Sequence, residues 1–381
     1  MLIGDWRAFR HHCKPSTKNC EHPKSHPRVS ASLGLPVRPP CVSVSPPLRV
    51  RPPRVSPSPR PRLPLRPLSF FFLILFGGTT SAQTRLLVAA DGSGQFKTVQ
   101  EAVNAVPQTT RADNPAIILV KPGIYKELVY VQHEKRFVRL IGEDVEKTIL
   151  TYDLHANVIG KDGKPIGTFR TPSTVIDADD FTAENITFEN SAGPVGQALA
   201  IRVDGDRVAF RHCRFLGWQD TILLNHGRQY FADCYITGHV DFIFGGATAF
   251  FERCHIHALK DGYITAASTA MEHPFGFVFS NCKITGEPGV QTYLGRPWRP
   301  FANVIFLKTE MSEVVRPAGW HNWNAPDREK TARYAEFASS GPGGKRTQRV
   351  AWARQLNKGS ARAMTTRKVL AGADGWNPKR G

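Results

Sequence analysis

Five short segments recur through the middle of this chain, and their recurrence limits the fold more than any other feature. They read "FTAENITF" (181–188), "VAFRHCRF" (208–215), "QYFADCYI" (229–236), "AFFERCHI" (249–256) and "FVFSNCKI" (277–284). Aligned on Asn185, Cys213, Cys234, Cys254 and Cys282, they are spaced by 28, 21, 20 and 28 residues. A sixth copy, "VIFLKTEM" (304–311), follows. The segments have strand composition, Gly, Asn and Asp punctuate them, and helical periodicity is weak. Such intervals predict a solenoid. The expected class is all-β, a right-handed parallel β-helix with one coil per repeat. Like positions then stack on neighbouring strands about 4.8 Å apart. The Asn and Cys column becomes an internal ladder. Its members would lie near the Cα separations of about 4.4–6.8 Å that permit a disulfide. Buried free thiols fit the same pattern.

An open stack exposes sheet edges, so its ends need covers. "KTVQEAVNAVP" (97–107) predicts a helical N-terminal cap. Thr98 and Glu101 form a T-x-x-E capping box, and Val99, Ala102, Val103 and Val106 make one apolar stripe that Pro107 ends. "APDREKTARYAEF" (325–337) and "TRKVLAG" (366–372) are expected to lie over the last coils.

The first 82 residues differ from the rest. They hold 13 Lys+Arg against 2 Asp+Glu, whereas the remainder holds 37 against 30. Residues 1–62 are rich in Pro, Arg and Ser and cannot bury enough apolar surface to fold. They read as a disordered leader, either a genuine extension or the product of an over-early start codon. Residues 63–82 follow as a secretory signal: a basic flank, the apolar run Leu68–Phe76, and a small-residue cleavage site ending at Ala82. That run is far shorter than the roughly 20 residues that cross a bilayer. Residues 83–381 form the folded domain. Its net +7 suits a polyanionic partner, and equally an ordinary solvated basic surface. Of seven cysteines, Cys13, Cys20 and Cys41 fall in the leader. No CxxC pair exists, which argues against zinc and thioredoxin-type chemistry.

The coil period also acts on the acids. Asp220, in "GWQDT", and Asp241, in "VDFIFG", are 21 residues apart, one coil. Gln197 and Gln219 are 22 apart. All four should meet on one patch, although turn-forming Asp and ladder-forming Gln would give the same spacing. Neighbouring carboxylates repel, so one keeps its proton longer. One can then attack as an anion while the other donates a proton. Neutral amides add donors for an oxyanion without neutralising the nucleophile. In "YLGRPWRP" (293–300), Arg296 can hold a carboxylate ionised and oriented, or make a structural salt bridge. Trp298 offers a flat apolar face of the kind that stacks on sugars.

These residues resemble the pectin methylesterases (pectinesterases), carbohydrate esterases on a pectin lyase-like β-helix. The likeness covers roughly residues 85–378, from "ADGSGQFKTVQEAVNAVP" through "GIYKE", "GQALA", "GWQDT", "VDFIFG" and "LGRPW" to "GWHNWN", "YAEFASSGPG" and "GWNP". The resemblance implies that Asp241 attacks the C6 methyl-ester carbonyl of a galacturonate unit and forms an acyl-enzyme. It makes Asp220 the acid and then the base, Gln219 and Gln197 the oxyanion donors, and Arg296 the group that orients Asp241. Ser191, Gln197, Arg296 and Trp298 contact substrate, and Phe242 and Phe244 are packing or groove aromatics. It implies no metal or other cofactor, and pectin as partner, without nucleic acid or a membrane anchor after signal cleavage. A secreted monomer is expected, in a cell wall, the extracellular space or a bacterial periplasm. Residues 1–82 are too short and Pro-rich for the inhibitor-like helical domain of many plant relatives, which leans towards a bacterial-type or minimal enzyme. Ile222 and Leu199 stand where Leu and Val are common, and both swaps stay apolar. The polygalacturonase motifs and the calcium-binding acid cluster of a pectate lyase are missing. A non-catalytic carbohydrate-binding β-helix would not need the acid pair, both glutamines and Arg296.

Overall fold

The computed structural model describes residues 83–380, and the leader and secretory signal read from the sequence lie outside them. The described chain coils as a right-handed parallel β-helix with three faces. The first face is a sheet of 11 parallel strands, from Arg85–Val88 to Arg354–Gln355. The second and third faces form one bent sheet of 13 strands. They are joined because two long strands, Tyr235–Gly245 and His255–Ala267, run through the corner between them. Strands on the first face pair one coil to the next, as in Phe210↔Phe231, Phe231↔Phe251, Phe251↔Phe279 and Phe279↔Phe306.

That register builds the core. The five successive rings stack at centroid distances of 4.9, 4.6, 4.4 and 4.4 Å. Each pair adds about 0.5–1.5 kcal/mol to the burial of its rings. The next position after Phe306 is Glu336. Its buried carboxylate accepts hydrogen bonds from Trp320 Nε1 at 3.2 Å and Arg349 Nε at 2.8 Å. The apolar ladder therefore ends at its C-terminal side on an ion pair whose side chains are 1% and 3% exposed.

The cysteine column needs one correction. Glu184 pairs with Arg211 and Thr187 with Arg214, so that coil is 27 residues long, and Ile186 rather than Asn185 stacks beside Cys213. Asn185 lies in the neighbouring column with His212, Asp233, Arg253 and Asn281, all with φ between 49° and 56°. These positions turn the chain through the left-handed region, which Asn tolerates better than most residues. All four cysteines are buried free thiols. Each donates to a carbonyl of the preceding coil, as Cys234 does to Phe210 at 3.7 Å.

Helix α1 (Val99–Ala105) closes the N-terminal end with the expected capping box and buries Val99, Ala102 and Val103. The Glu127 carboxylate accepts the Val99 and Gln100 N–H groups at 2.8 and 3.0 Å, a further anchor for the first turn. The C-terminal segments depart from expectation. Residues 325–337 divide into α2 (Asp327–Thr331) and the strand Arg333–Phe337, which joins the first face as another coil. After α3 (Lys358–Ala363), helix α4 (Thr366–Leu370) lies on the outer surface of the first face. There Val369 and Leu370 pack with Ala209, Tyr230, Phe250 and Val278. The outward residues of these middle coils are apolar, so the segment that buries them runs along the side of the stack rather than over its end. Asp374 fastens it through Arg228 at 2.6 and 2.8 Å. Among the described residues no helix is long and apolar enough to cross a membrane.

Candidate active site

Ile222 pairs with Ile243, which sets Asp220 and Asp241 beside each other on adjacent coils. The Asp220 N–H donates to Val240 O at 3.0 Å. Both aspartates adopt left-handed backbone, with φ of 63° and 53°. Between Val240 and Ile243 the register slips against Tyr263 and Thr265, so one extra residue bulges from the Asp241 strand. A bulge re-aims a side chain where the ladder would fix it. Gly238 permits the bend, since a Cβ there would sit 2.2 Å from Phe242 Cβ. Gln219, next to Asp220, forms a parallel bridge with Gln197 of the preceding coil, with the Ala198 N–H on Gln219 O at 3.1 Å. The strand Thr292–Gly295 brings Arg296 over the third face, where its N–H donates to Thr265 O at 2.9 Å. Gly295 is required just before it, because a Cβ would meet Thr265 Oγ1 at 1.9 Å.

Arg296 grips Asp241 with two parallel bonds, Nε to Oδ1 at 2.8 Å and Nη2 to Oδ2 at 2.7 Å. Burial pushes the Asp241 carboxyl up, and the arginine opposes that by bond and by charge. Asp220 is raised well above the usual carboxylate range, first by burial and then by the Asp241 charge, with Arg296 opposing. Among the described residues no side chain or backbone group hydrogen-bonds its carboxyl. Asp220 therefore keeps the proton of the pair, and Asp241 gives its own up first. Beside them, burial lowers the His239 imidazole from its ordinary value. The arrangement offers an anion fixed in orientation, a protonated acid next to it, and two amide side chains, Gln219 on the Asp220 coil and Gln197 on the coil before it.

The remaining predicted residues divide. Trp298 packs at 5.9 Å from the Phe244 ring, over an outward apolar row of Leu199, Leu223, Phe244 and Ala266. Phe242 and Phe244 separate cleanly: Phe242 points into the core, and Phe244 lies on the outer row under Trp298. Ser191 is exposed where the chain leaves the second face. Its hydroxyl donates to Tyr152 O at 3.2 Å and accepts from Thr151 Oγ1 at 3.2 Å, rather than touching the acid cluster. Two neighbours of Arg296 escaped the sequence reading, Tyr263 and Trp323. Trp323 lies within "GWHNWN", and Tyr263 is the coil partner of Val240, the residue before Asp241.

Residues 85–373 match the family model described as Pectinesterase. Pectinesterase 31 of Arabidopsis thaliana is 46% identical over 290 residues, spanning 72% of this chain and 89% of that protein. The solved pectin methylesterase from carrot superposes with a TM-score of 0.71 at 32% identity, covering 78% of this chain and 96% of its own. A pectin methylesterase in complex with a hexasaccharide superposes with a TM-score of 0.67 at 28% identity, covering 78% and 99%. A family match over most of the chain, with the fold and acid pair described above, makes this protein an ester hydrolase of the pectinesterase family.

Proposed function

We propose that the enzyme hydrolyses the C6 methyl esters of galacturonate units in pectin, yielding pectate and methanol, through a covalent intermediate on Asp241. The observation that carries this reading is the split pair: an aspartate fixed by two bonds to Arg296, one coil from a buried aspartate that keeps its proton. An Asp241 oxygen attacks the carbonyl carbon, and the carbonyl oxygen takes the negative charge. The side-chain amides of Gln197 and Gln219 donate to that oxygen. Asp220 gives its proton to the methoxy oxygen, the carbon–oxygen bond breaks, and methanol leaves an acyl anhydride. Asp220, now an anion, takes a proton from the water that attacks this anhydride. The galacturonic acid so formed loses its proton to solvent and departs as carboxylate, and Asp241 is again a free anion beside a protonated Asp220. General acid–base transfer is worth about 10²–10⁴-fold and an oxyanion donor about 10²–10³-fold.

The basic excess of residues 83–381 suits a substrate that becomes more anionic with each turnover. Trp298, beside the apolar row of the third face, is suited to stack on a sugar ring. Ser191, exposed where the chain leaves the second face, contacts the substrate chain beyond the reacting sugar. The protein acts as a secreted monomer, and N-terminal sequencing of the secreted form tests cleavage after Ala82. On highly methylated pectin the enzyme should release methanol without forming new reducing ends. Asp241→Ala should end methanol release and leave polymer binding largely intact. New reducing ends without methanol, or turnover that survives the substitution, would sink the reading.

A further inference from the structure

Arg296 meets Asp241 with its edge, and its two faces are also occupied. Its Cζ lies 3.9 Å from the ring centroid of Tyr263 and 3.9 Å from that of Trp323. The two rings are not stacked on one another, so they take opposite faces of the guanidinium. We propose that Tyr263 and Trp323 are positioning residues, which clamp Arg296 between them so that its Nε and Nη2 donors reach Asp241 from a partly desolvated, non-rotating cation. The proposal rests on Asp241 acting as the nucleophile.

Three observations support a clamp rather than a chance contact. Tyr263 pairs with Val240 at the bulge that aims Asp241, so one piece of backbone places both the carboxylate and a wall of the clamp. Tyr263 is itself backed by Tyr293, stacked at 5.4 Å and 10°. Trp323 has φ of 62°, a region that bulky residues seldom occupy and that persists only where the surroundings impose it. Here His321 Nδ1 accepts the Trp323 N–H at 3.1 Å, and Asn322 Oδ1 accepts the Asn324 N–H at 2.9 Å. That backbone lays the indole on the arginine. Trp298, by contrast, packs against Phe244.

The clamp acts on charge as well as geometry. An arginine is attracted to aromatic faces and loses water above and below its plane between them. Its field on the carboxylate is then less screened. The other ionisable groups facing Asp241 are Asp220 and His239, with Tyr334 buried behind it. His321 and Arg328 border the clamp itself, and His321 is lowered by burial and by Arg296. Its Nδ1 is unprotonated, since it accepts the Trp323 N–H. Arg296 is thus the cation through which the two rings would act on Asp241.

The test is the pH profile of methanol release for Tyr263→Leu and Trp323→Leu, with Tyr263→Phe as the conservative control. The leucine variants should lose about 10- to 100-fold in kcat, the scale of a small misplacement of reacting groups. Asp241 should become harder to ionise, moving the acid limb up by about half a pH unit or more. KM should stay within about twofold, and Tyr263→Phe should resemble wild type. A raised KM with an unmoved acid limb would make the rings a sugar platform and overturn the proposal. If a leucine variant does not fold, Tyr263→Met and Trp323→Met replace it, keeping apolar bulk without an aromatic face: the same loss in kcat and the same shift of the acid limb are expected, and an unmoved acid limb overturns the clamp. Asp241→Asn, assayed alongside, keeps the two failures apart. Turnover in that variant refutes the nucleophile, whereas an inactive Asp241→Asn with unshifted leucine variants refutes only the clamp.

Discussion

Replacing Asp220 by Asn should remove activity and add stability, and the added stability should depend on pH. Asp220 is 8% exposed, and its carboxyl takes no hydrogen bond from the described protein and faces the Asp241 charge. Its folded-state pKa is therefore raised above that of the unfolded chain. A group raised in this way stabilises the fold fully below the unfolded value, and that contribution is lost as pH rises through the folded one. Above an ordinary carboxylate pKa of about 3.9, wild type must either hold a proton that the unfolded chain gives up or bury an anion. Each pH unit of that mismatch is worth about 1.4 kcal/mol, so at pH 7 the penalty is bounded near 4 kcal/mol. The amide has nearly the same shape and no such penalty. Urea denaturation of both proteins between pH 3.5 and about 8 measures the difference. The variant should match wild type at the acid end, gain on it as pH rises, and then level off. Methanol release should fall by about 10²–10⁴-fold. A variant less stable than wild type at pH 7, or a gap independent of pH, would show that Asp220 is not a desolvated acid held against its preference.

Other perturbations address the frame. Arg349→Leu leaves the buried Glu336 carboxylate without its partner and should cost about 3–5 kcal/mol in denaturant unfolding, while the double change with Glu336→Leu should recover most of it. The four thiols should react with a disulfide reagent only after unfolding, since all are buried and burial pushes the Cys213 thiol up to about 12. Asp374→Ala removes a fastening of the C-terminal segment whose carboxylate is partly open to solvent. It should cost no more than about 1 kcal/mol, speed proteolytic cleavage within 358–368 and leave methanol release unchanged.

The sequence made the coil legible because a strand solenoid repeats its chemistry at a fixed interval. One glance at spacing joined Asp220 to Asp241 and Gln197 to Gln219, and the structure brings both pairs together. The same logic misplaced Asn185 by one residue. A polar residue just before the column serves the outer turn, and period alone cannot tell a turn column from an interior one. Segment 333–337 looked like a cover because Arg333 and Glu336 are charged, yet Glu336 points inward to meet Arg349, 13 residues further on. Tyr263 and Trp323 were illegible for a related reason. Their meeting around Arg296 depends on a bulge and a left-handed turn, neither of which a spacing rule contains. Phe242 and Phe244 share a face in an unbent strand, and only the bend between second and third faces sends them apart.

That bend has a further consequence for what the gene can tolerate. Most corners of the coil are turns, where an added residue lengthens a loop and disturbs little. Tyr235–Gly245 and His255–Ala267 instead round their corner as continuous strand. A one-residue insertion or deletion inside either would reverse which side chains face in and out for everything downstream in that strand. Asp241 would swing towards the Phe ladder. Length variation among descendants of this sequence should therefore gather in the loops of the outer coils, such as 153–171, and be purged from 235–245.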